Sequence, residues 1–307
     1  MSEILPPRII AEEEERKTLR AISFGAEKWL YRPIKCLDNG FVYLADYAGS
    51  DESVTQAARV SYGKGTKKIN EDRGLIRYLK RHQHTTPFEM VEFKFHCKMP
   101  IFVARQWIRH RTASVNEYSA RYSEIKDEFY LPEPSALKKQ DKMNKQGRNE
   151  ELTDKQKHFI LEVLKREYEN QRKMYKAFNE IELARELARV GIAVSNYTEW
   201  YWKIDLHNLM HFLKLRLDKH AQYEIRVYAE AIARIVKNAV PLCYEAFEDY
   251  VLDSIYFSGP EVRFMQSHQI PVAEAVIRSL ILVEFGNQRE TEEFMEKLRK
   301  LKLVFTI

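Results

Sequence analysis

Arg105, Arg109, Arg111 and Arg121 crowd into one lysine-free stretch, Arg105 to Tyr122, with His110, Ser114, Asn116, Glu117 and Ser119 among them. Guanidiniums this close repel one another unless anions lie between them. Their planar forks pair with phosphate or carboxylate oxygens two at a time. The chemistry indicated is the binding of a phosphorylated ligand or a polyanion, and a solvated, arginine-rich helix end is the plain alternative. Trp107 and Ile108 imply that this surface is partly buried. Asn116 and Glu117 supply donors and acceptors suited to a base or sugar.

Other residues admit competing chemistry. His82 and His84 have HxH spacing with Glu89 nearby, and His207 and His211 lie one helical turn apart, as metal ligands can. No HExxH pattern accompanies either pair, and no third ligand comes into register, so no metal site is expected. Cys36, Cys97 and Cys243 are far apart and form no CxxC pair, which suggests neither a disulfide framework nor a cysteine zinc site. Arg216, flanked by Leu213, Leu215 and Leu217, reads on its own as a snorkelling arginine. The ten glycines form neither a GxGxxG turn nor a P-loop, so any nucleotide must be held by other means.

The elements that must position these residues can be read coarsely. Cys36 to Tyr47 turns at Asn39-Gly40 and runs on as a strand. Ser53–Tyr62 and Gly74–His82 read as helices, the second with Leu75, Ile76 and Leu79 on one face, and Gly63-Lys64-Gly65 reads as a turn between them. Val91, Phe93, Phe95 and Cys97 alternate with polar residues as in a half-buried strand. Pro100 suits the first turn of a helix through Trp107. Residues 138–151 read as a polar loop, and helices are expected at roughly 154–192, 205–218 and 219–240. Two more amphipathic candidates, Val272–Phe285 and Thr291–Leu303, lie in the tail. The expected fold class is α+β, with a small, mostly antiparallel sheet packed with several long helices in a single main domain. The 307 residues, 45% hydrophobic content and net charge of +5 fit a globular protein handling anions, and the charge alone does not single out nucleic acid. Acidic residues 12–15 stand where a signal peptide needs an apolar core, and no apolar run approaches membrane-spanning length. A reducing, cytoplasmic setting is therefore expected, with no membrane partner.

Arg109-His110-Arg111, seven residues, then Ser119 resembles the RHRx7S signature of flavin-dependent thymidylate synthases. Gln106, Asn116-Glu117, Arg121 and Tyr122 agree with it. Similar stretches follow in order: AARVSYGKGT (57–66), HTTPFE (84–89), FHCKMPIFVARQW (95–107) and LKLRLDKHAQYEI (213–225). The resemblance covers most of 36–248, and divides the chain into an N-terminal extension (1–35), a synthase domain (36–248) and a C-terminal helical extension (249–307). It implies conversion of dUMP to dTMP, with 5,10-methylenetetrahydrofolate as carbon donor and NADPH-reduced FAD as hydride source. It also implies a homotetramer with active sites between subunits, and no covalent cysteine nucleophile.

Carried over residue by residue, the resemblance assigns dUMP to Gln106, Trp107, Ile108, Arg109, Glu117, Tyr118, Ser119, Ala120, Arg121, Arg189 and Arg216. FAD falls to Thr86, Arg109, His110, Arg111, Glu117, Asp205, Leu206, His207 and His211. Arg216 would be catalytic, hydrogen-bonding the uracil ring and favouring its ionisation at N3. Asp205 stands where asparagine is usual in the family, and a role as helix N-cap is equally natural for it. Two readings from other classes remain: a nucleic-acid module in which Trp107, Tyr118 and Tyr122 stack bases, and a histidine-carboxylate metal hydrolase.

Overall fold

The computed structural model describes residues 21–60, 69–140, 147–267, 272–301 and 304–305. Residues 1–20, most of the N-terminal extension, and the expected Gly63-Lys64-Gly65 turn lie outside the described residues. Strands β1 (Ile34–Cys36), β2 (Gly40–Ala48), β3 (Glu92–Pro100), β4 (Ser114–Glu117) and β5 (Tyr197–Asp205) form one sheet in the order β1-β2-β3-β5-β4. Every pairing in it is antiparallel. The α+β expectation holds.

Alternation explains which face of the sheet is buried. Phe93, Phe95 and Cys97 of β3 lie opposite Ile204, Trp202 and Trp200 of β5, and Cys97 and Phe95 also face Val42 and Leu44 of β2. All of these are buried in the main core. The longer helices that accompany this sheet are α1 (Asp51–Val60), α2 (Ile69–Arg81), α3 (Ile101–Trp107), α4 (Asp154–Glu180), α5 (Leu206–Arg216), α6 (Tyr223–Ala239) and α7 (Pro241–Phe247). Helix α6 brings Ile225, Tyr228, Ile232 and Val236 to the same core. The Tyr228 hydroxyl donates to the Lys98 carbonyl at 2.8 Å, and a Cβ at Gly40 would come within 2.0 Å of that hydroxyl. Only glycine lets the β1–β2 turn approach α6 this closely.

Several expectations need correction. The helix expected to reach residue 192 ends at Glu180, because Glu182 turns into the left-handed region (φ 57°). Only the short turn Arg185–Ala188 follows it. The helix expected from 219 begins at Tyr223, since Asp218 accepts from the His220 N–H and holds a turn there. The 138–151 loop carries a small antiparallel pair, Lys138–Gln140 with Arg148–Glu151. Pro100 is the N-cap of α3 and the last residue of β3, rather than a residue of the helix's first turn.

By compactness the chain divides into residues 1–252 and 253–307. The second unit holds helices Gly259–Ser267, Glu274–Phe285 and Gln288–Lys300, with a small core of Ile281, Met295 and Leu298. Asn287 caps its last helix by accepting from the Arg289 N–H at 2.9 Å.

Candidate active site

The arginine-rich stretch does not form one cluster. It leaves α3, passes through edge strand β4 and turns at Ser119, so its two ends serve two clefts. The first, of about 350 Å³, is lined by Arg109, His110, Arg111, Thr112, Ile204, Asn208, His211, Leu215 and Arg216. The second, of about 140 Å³, is lined by Glu117, Tyr118, Ala120, Lys126, Arg189, Thr198 and Glu199, among others. Arg105 lies exposed on the last turn of α3 and lines neither.

In the first cleft Arg216 Nε donates to His110 Nε2 at 3.1 Å. That bond makes Nε2 an acceptor, so the imidazole is neutral with its proton on Nδ1. The His110 pKa agrees: burial first, then the charges of Arg216 and His211, push it down from 6.5 to about 4. The ring stands edge-on to His211 at 6.0 Å and to Phe212 at 5.0 Å. Half-burial also lowers the Arg216 pKa, yet a guanidinium stays charged throughout the physiological range. With Nε spent on His110, both of its NH₂ groups remain for a ligand. Among the described residues, Arg109 and Arg111 have no ion-pair partner, so this cleft holds unneutralised cations where an anion fits.

The sign of the His110 shift sets a pH dependence. Its folded pKa lies below the unfolded value, so the stability it contributes is fully present above about pH 6.5 and is lost as pH falls toward 4. His110→Gln keeps an acceptor for Arg216 but cannot titrate. Urea unfolding from pH 7 to 4.5 should show a shallower acid-side loss of stability in that variant, and equal slopes would refute the assignment.

Asp205 is the N-cap of α5, its Oδ1 accepting from the Asn208 N–H at 2.9 Å and its Oδ2 from Asn208 Nδ2 at 2.8 Å. Both oxygens of the carboxylate thus serve the start of their own helix. Leu206 is fully buried, so its side chain belongs to the core. The Leu206 N–H donates to the Val91 carbonyl at 2.8 Å, which ties the start of α5 to the end of the Thr86–Glu89 turn. Thr86 is exposed there. His207 has its pKa lowered by burial and then by the Lys80 charge. Thr86, His207 and His211 thus belong to neighbouring turns, as a shared ligand requires.

In the second cleft Glu117 accepts from Thr198 Oγ1 at 2.7 Å across the β4–β5 pair. The Tyr118 hydroxyl donates to the Glu124 carbonyl at 2.7 Å. Ser119 Oγ accepts from the Arg121 N–H at 3.3 Å, and its carbonyl accepts from the N–H groups of Tyr122 and Ser123. Arg121 pairs with Glu186 at 3.3 Å, and Arg185 donates to the Tyr122 carbonyl at 2.6 Å. Arg189 lines the cleft, with no ion pair among the described residues. Ile108 is exposed. Gln106 Oε1 is buried without a hydrogen-bond partner, and Gln106 lines neither cleft.

Trp107 requires a correction. Its side chain is fully buried and packs on Trp200, Trp202, Phe212 and Tyr228, with ring centroids 5.1–5.8 Å away. It can stack on no base, which removes one support from the nucleic-acid reading. All three cysteines are buried as well. Burial pushes the Cys36 thiol up to about 12 and holds Cys97 and Cys243 well above the usual value. Among the described residues, no three His, Cys, Asp or Glu side chains are grouped to hold a metal, and no helix is long and apolar enough to cross a membrane. Lys126, Thr198, Glu199 and Asn208 escaped the sequence reading. The aromatic alternation of YTEWYWKID was the available signal for the strand that carries two of them.

Residues 43–242 match the family model described as thymidylate synthase complementing protein. A flavin-dependent thymidylate synthase of Ehrlichia ruminantium (strain Gardel) is 55% identical over 80% of this chain and 82% of its own length. One from Rickettsia prowazekii (strain Madrid E) is 50% identical over 92% of this chain and 99% of its own. Among solved structures, the UMP/dUMP methylase PolB of Streptomyces cacaoi, bound with 5-Br dUMP, superposes with a TM-score of 0.65. It is 33% identical and covers 71% of this chain and 98% of that one. With a family match that spans most of the sheet and both clefts, and relatives this similar over most of their length, the chain belongs to the flavin-dependent thymidylate synthases.

Proposed function

We propose that this enzyme methylates dUMP at C5 to give dTMP, taking the one-carbon unit from 5,10-methylenetetrahydrofolate and the reducing equivalents from NADPH through FAD. The observation that carries this reading is the first cleft. Arg216 is half-buried, fixed by a neutral His110, and still has its NH₂ groups available. A guanidinium so held stabilises negative charge developing on a pyrimidine ring, which raises the nucleophilicity of C5. Gln106, Ile108, Glu117, Tyr118, Ser119, Ala120, Arg121 and Arg189 bind the nucleotide, with Trp107 acting through the core. Ser119 positions substrate, since among the described residues no histidine-carboxylate pair accompanies its hydroxyl, which accepts from the Arg121 N–H.

The residues of the first cleft fit a flavin dinucleotide. The unpaired Arg109 and Arg111 suit its pyrophosphate, and His110, His207, His211, Thr86 and the N-terminal turn of α5 complete the binding surface. FAD, when bound and reduced, supplies the hydride that completes the methyl group. The three buried thiols, held protonated, support a route without a covalent cysteine. The large exposed side chains Tyr118, Tyr122, Leu187, Val190 and Val194 near the second cleft suit burial by a second subunit, as in a homotetramer with shared sites. The setting we propose is the cytoplasm, with neither nucleic acid nor membrane as partner.

The visible spectrum tests this reading. The purified protein should carry flavin absorbance or acquire it with FAD, and NADPH oxidation should be stimulated by dUMP with dTMP as product. A protein that stays colourless with FAD supplied would overturn the proposal, and salt-sensitive binding to single strands would point to the nucleic-acid module instead.

A further inference from the structure

The second cleft contains a cation that neither the motif nor the reading above assigns. Lys126 lines it beside Glu117, Tyr118, Ala120 and Arg189. Its backbone is fixed independently of its side chain. Asn196, itself 2% exposed, donates through Nδ2 to the carbonyls of Lys126 at 2.9 Å and Glu128 at 3.0 Å. The Ile125 N–H donates to the Tyr175 hydroxyl at 3.0 Å and the Tyr197 N–H to the Glu128 carbonyl at 2.9 Å. A loop held at so many points restricts the reach of the Lys126 ammonium to the cleft wall.

The side chain is fixed as well. Lys126 Nζ donates to Glu199 Oε1, and Glu199 Oε2 accepts from His96 Nε2 at 3.2 Å. A carboxylate only accepts, so His96 carries its proton on Nε2. Its Nδ1 then accepts from the Tyr43 hydroxyl at 2.7 Å. His96 is further stacked on Tyr201, with centroids 4.7 Å apart. Burial alone would raise the Glu199 pKa, but the hydrogen bonds from His96 and Lys126 outweigh it and bring the group down to about 2. Each oxygen of Glu199 is thus occupied from within the protein, and its side chain is only 17% exposed. Lys126 remains 40% exposed, with further N–H donors free to meet a ligand. An ion pair made only for stability at such exposure contributes little, and it would need neither the histidine nor the tyrosine behind it.

We propose that Lys126 is a further substrate-binding residue, contacting the 5′-phosphate of the nucleotide together with Arg189, and that Tyr43, His96 and Glu199 position its ammonium. This rests on the assignment of the second cleft to dUMP. Lys126 meets the phosphate as a point charge, while Arg189 offers the planar fork. Glu199 holds the lysine in place when the cleft is empty, so little side-chain entropy is lost when substrate arrives.

Equilibrium binding of dUMP and of deoxyuridine to the FAD-loaded enzyme tests the proposal. Lys126→Met should weaken dUMP about 10- to 100-fold, the range for a lost charge-assisted hydrogen bond, and raise KM far more than it lowers kcat. Lys126→Arg should recover most of the affinity. Deoxyuridine, which has no phosphate, should bind Lys126→Met and wild type equally; a merely structural role would weaken both ligands. Glu199→Gln should weaken dUMP by itself yet add nothing to Lys126→Met, because it acts only through the lysine. Arg189→Ala separates the two levels of the argument. If Arg189→Ala weakens dUMP and Lys126→Met does not, this proposal fails while the site stands. If neither changes dUMP binding, the assignment of the cleft fails.

Discussion

Arg216→Ala is expected to lower dTMP formation by about a thousandfold or more while the purified protein keeps its flavin absorbance. The size follows from the task. A donor aimed at developing charge in a partly desolvated cleft contributes about 10²–10³ in rate when it is neutral, and a charged one contributes more. The geometry makes the loss complete. Arg216 Nε is engaged by the half-buried His110, so the remaining NH₂ groups have one fixed direction. Flavin should remain because Arg109, Arg111 and His211 stay in place in the same cleft. Arg216→Lys should rescue little, since an ammonium cannot donate to His110 and present a planar pair of donors together. The measurement is single-turnover dTMP yield with the flavin spectrum recorded on the same sample. Turnover near the wild-type level would return Arg216 to the role its leucine neighbours first suggest, a snorkelling cation covering apolar surface.

Trp107→Ala should destabilise the folded protein by about 3–5 kcal/mol, the usual cost of emptying a large aromatic site in a core. Trp107 is fully buried among Trp200, Trp202, Phe212 and Tyr228. It therefore joins the sheet to α5 and α6 immediately before Arg109. Its Nε1 is buried without a partner, so Trp107→Phe surrenders no hydrogen bond and should cost much less, about 1–2 kcal/mol. Urea unfolding followed by circular dichroism measures both. A Trp107→Ala protein as stable as wild type, but unable to bind dUMP, would show instead that the indole touches substrate.

The strands and helices that follow simple periodicity were legible. Phe93, Phe95 and Cys97 alternate as a strand facing one core must, and Ile76 and Leu79 share a helix face that is buried as expected. Strand β5 was not foreseen, although Trp200, Trp202 and Ile204 alternate with Tyr201 and Lys203. Its aromatic and charged residues fit either helix or strand locally, and only pairing with β3 and β4 settles the choice. The same limit applies to Asp205. Its residue type allowed a ligand contact or a helix cap, and Asn208, three residues on, takes up both of its oxygens.

The arginine-rich stretch shows where the division lies. Its residue types pointed to anionic ligands, because guanidinium forks pair with phosphate and carboxylate oxygens, and its residue order carried the resemblance to the family. Tertiary structure alone decided that Arg109 and Arg111 line one cleft while Glu117, Tyr118 and Ala120 line another, that Trp107 belongs to the core, and that His110 is neutral because Arg216, 106 positions later, donates to it. It also brought Lys126, Glu199, His96 and Tyr43 into one hydrogen-bonded line from four separate segments. Burial, protonation state and hydrogen-bond partners depend on which distant segments are packed together, and chain order carries no direct record of that.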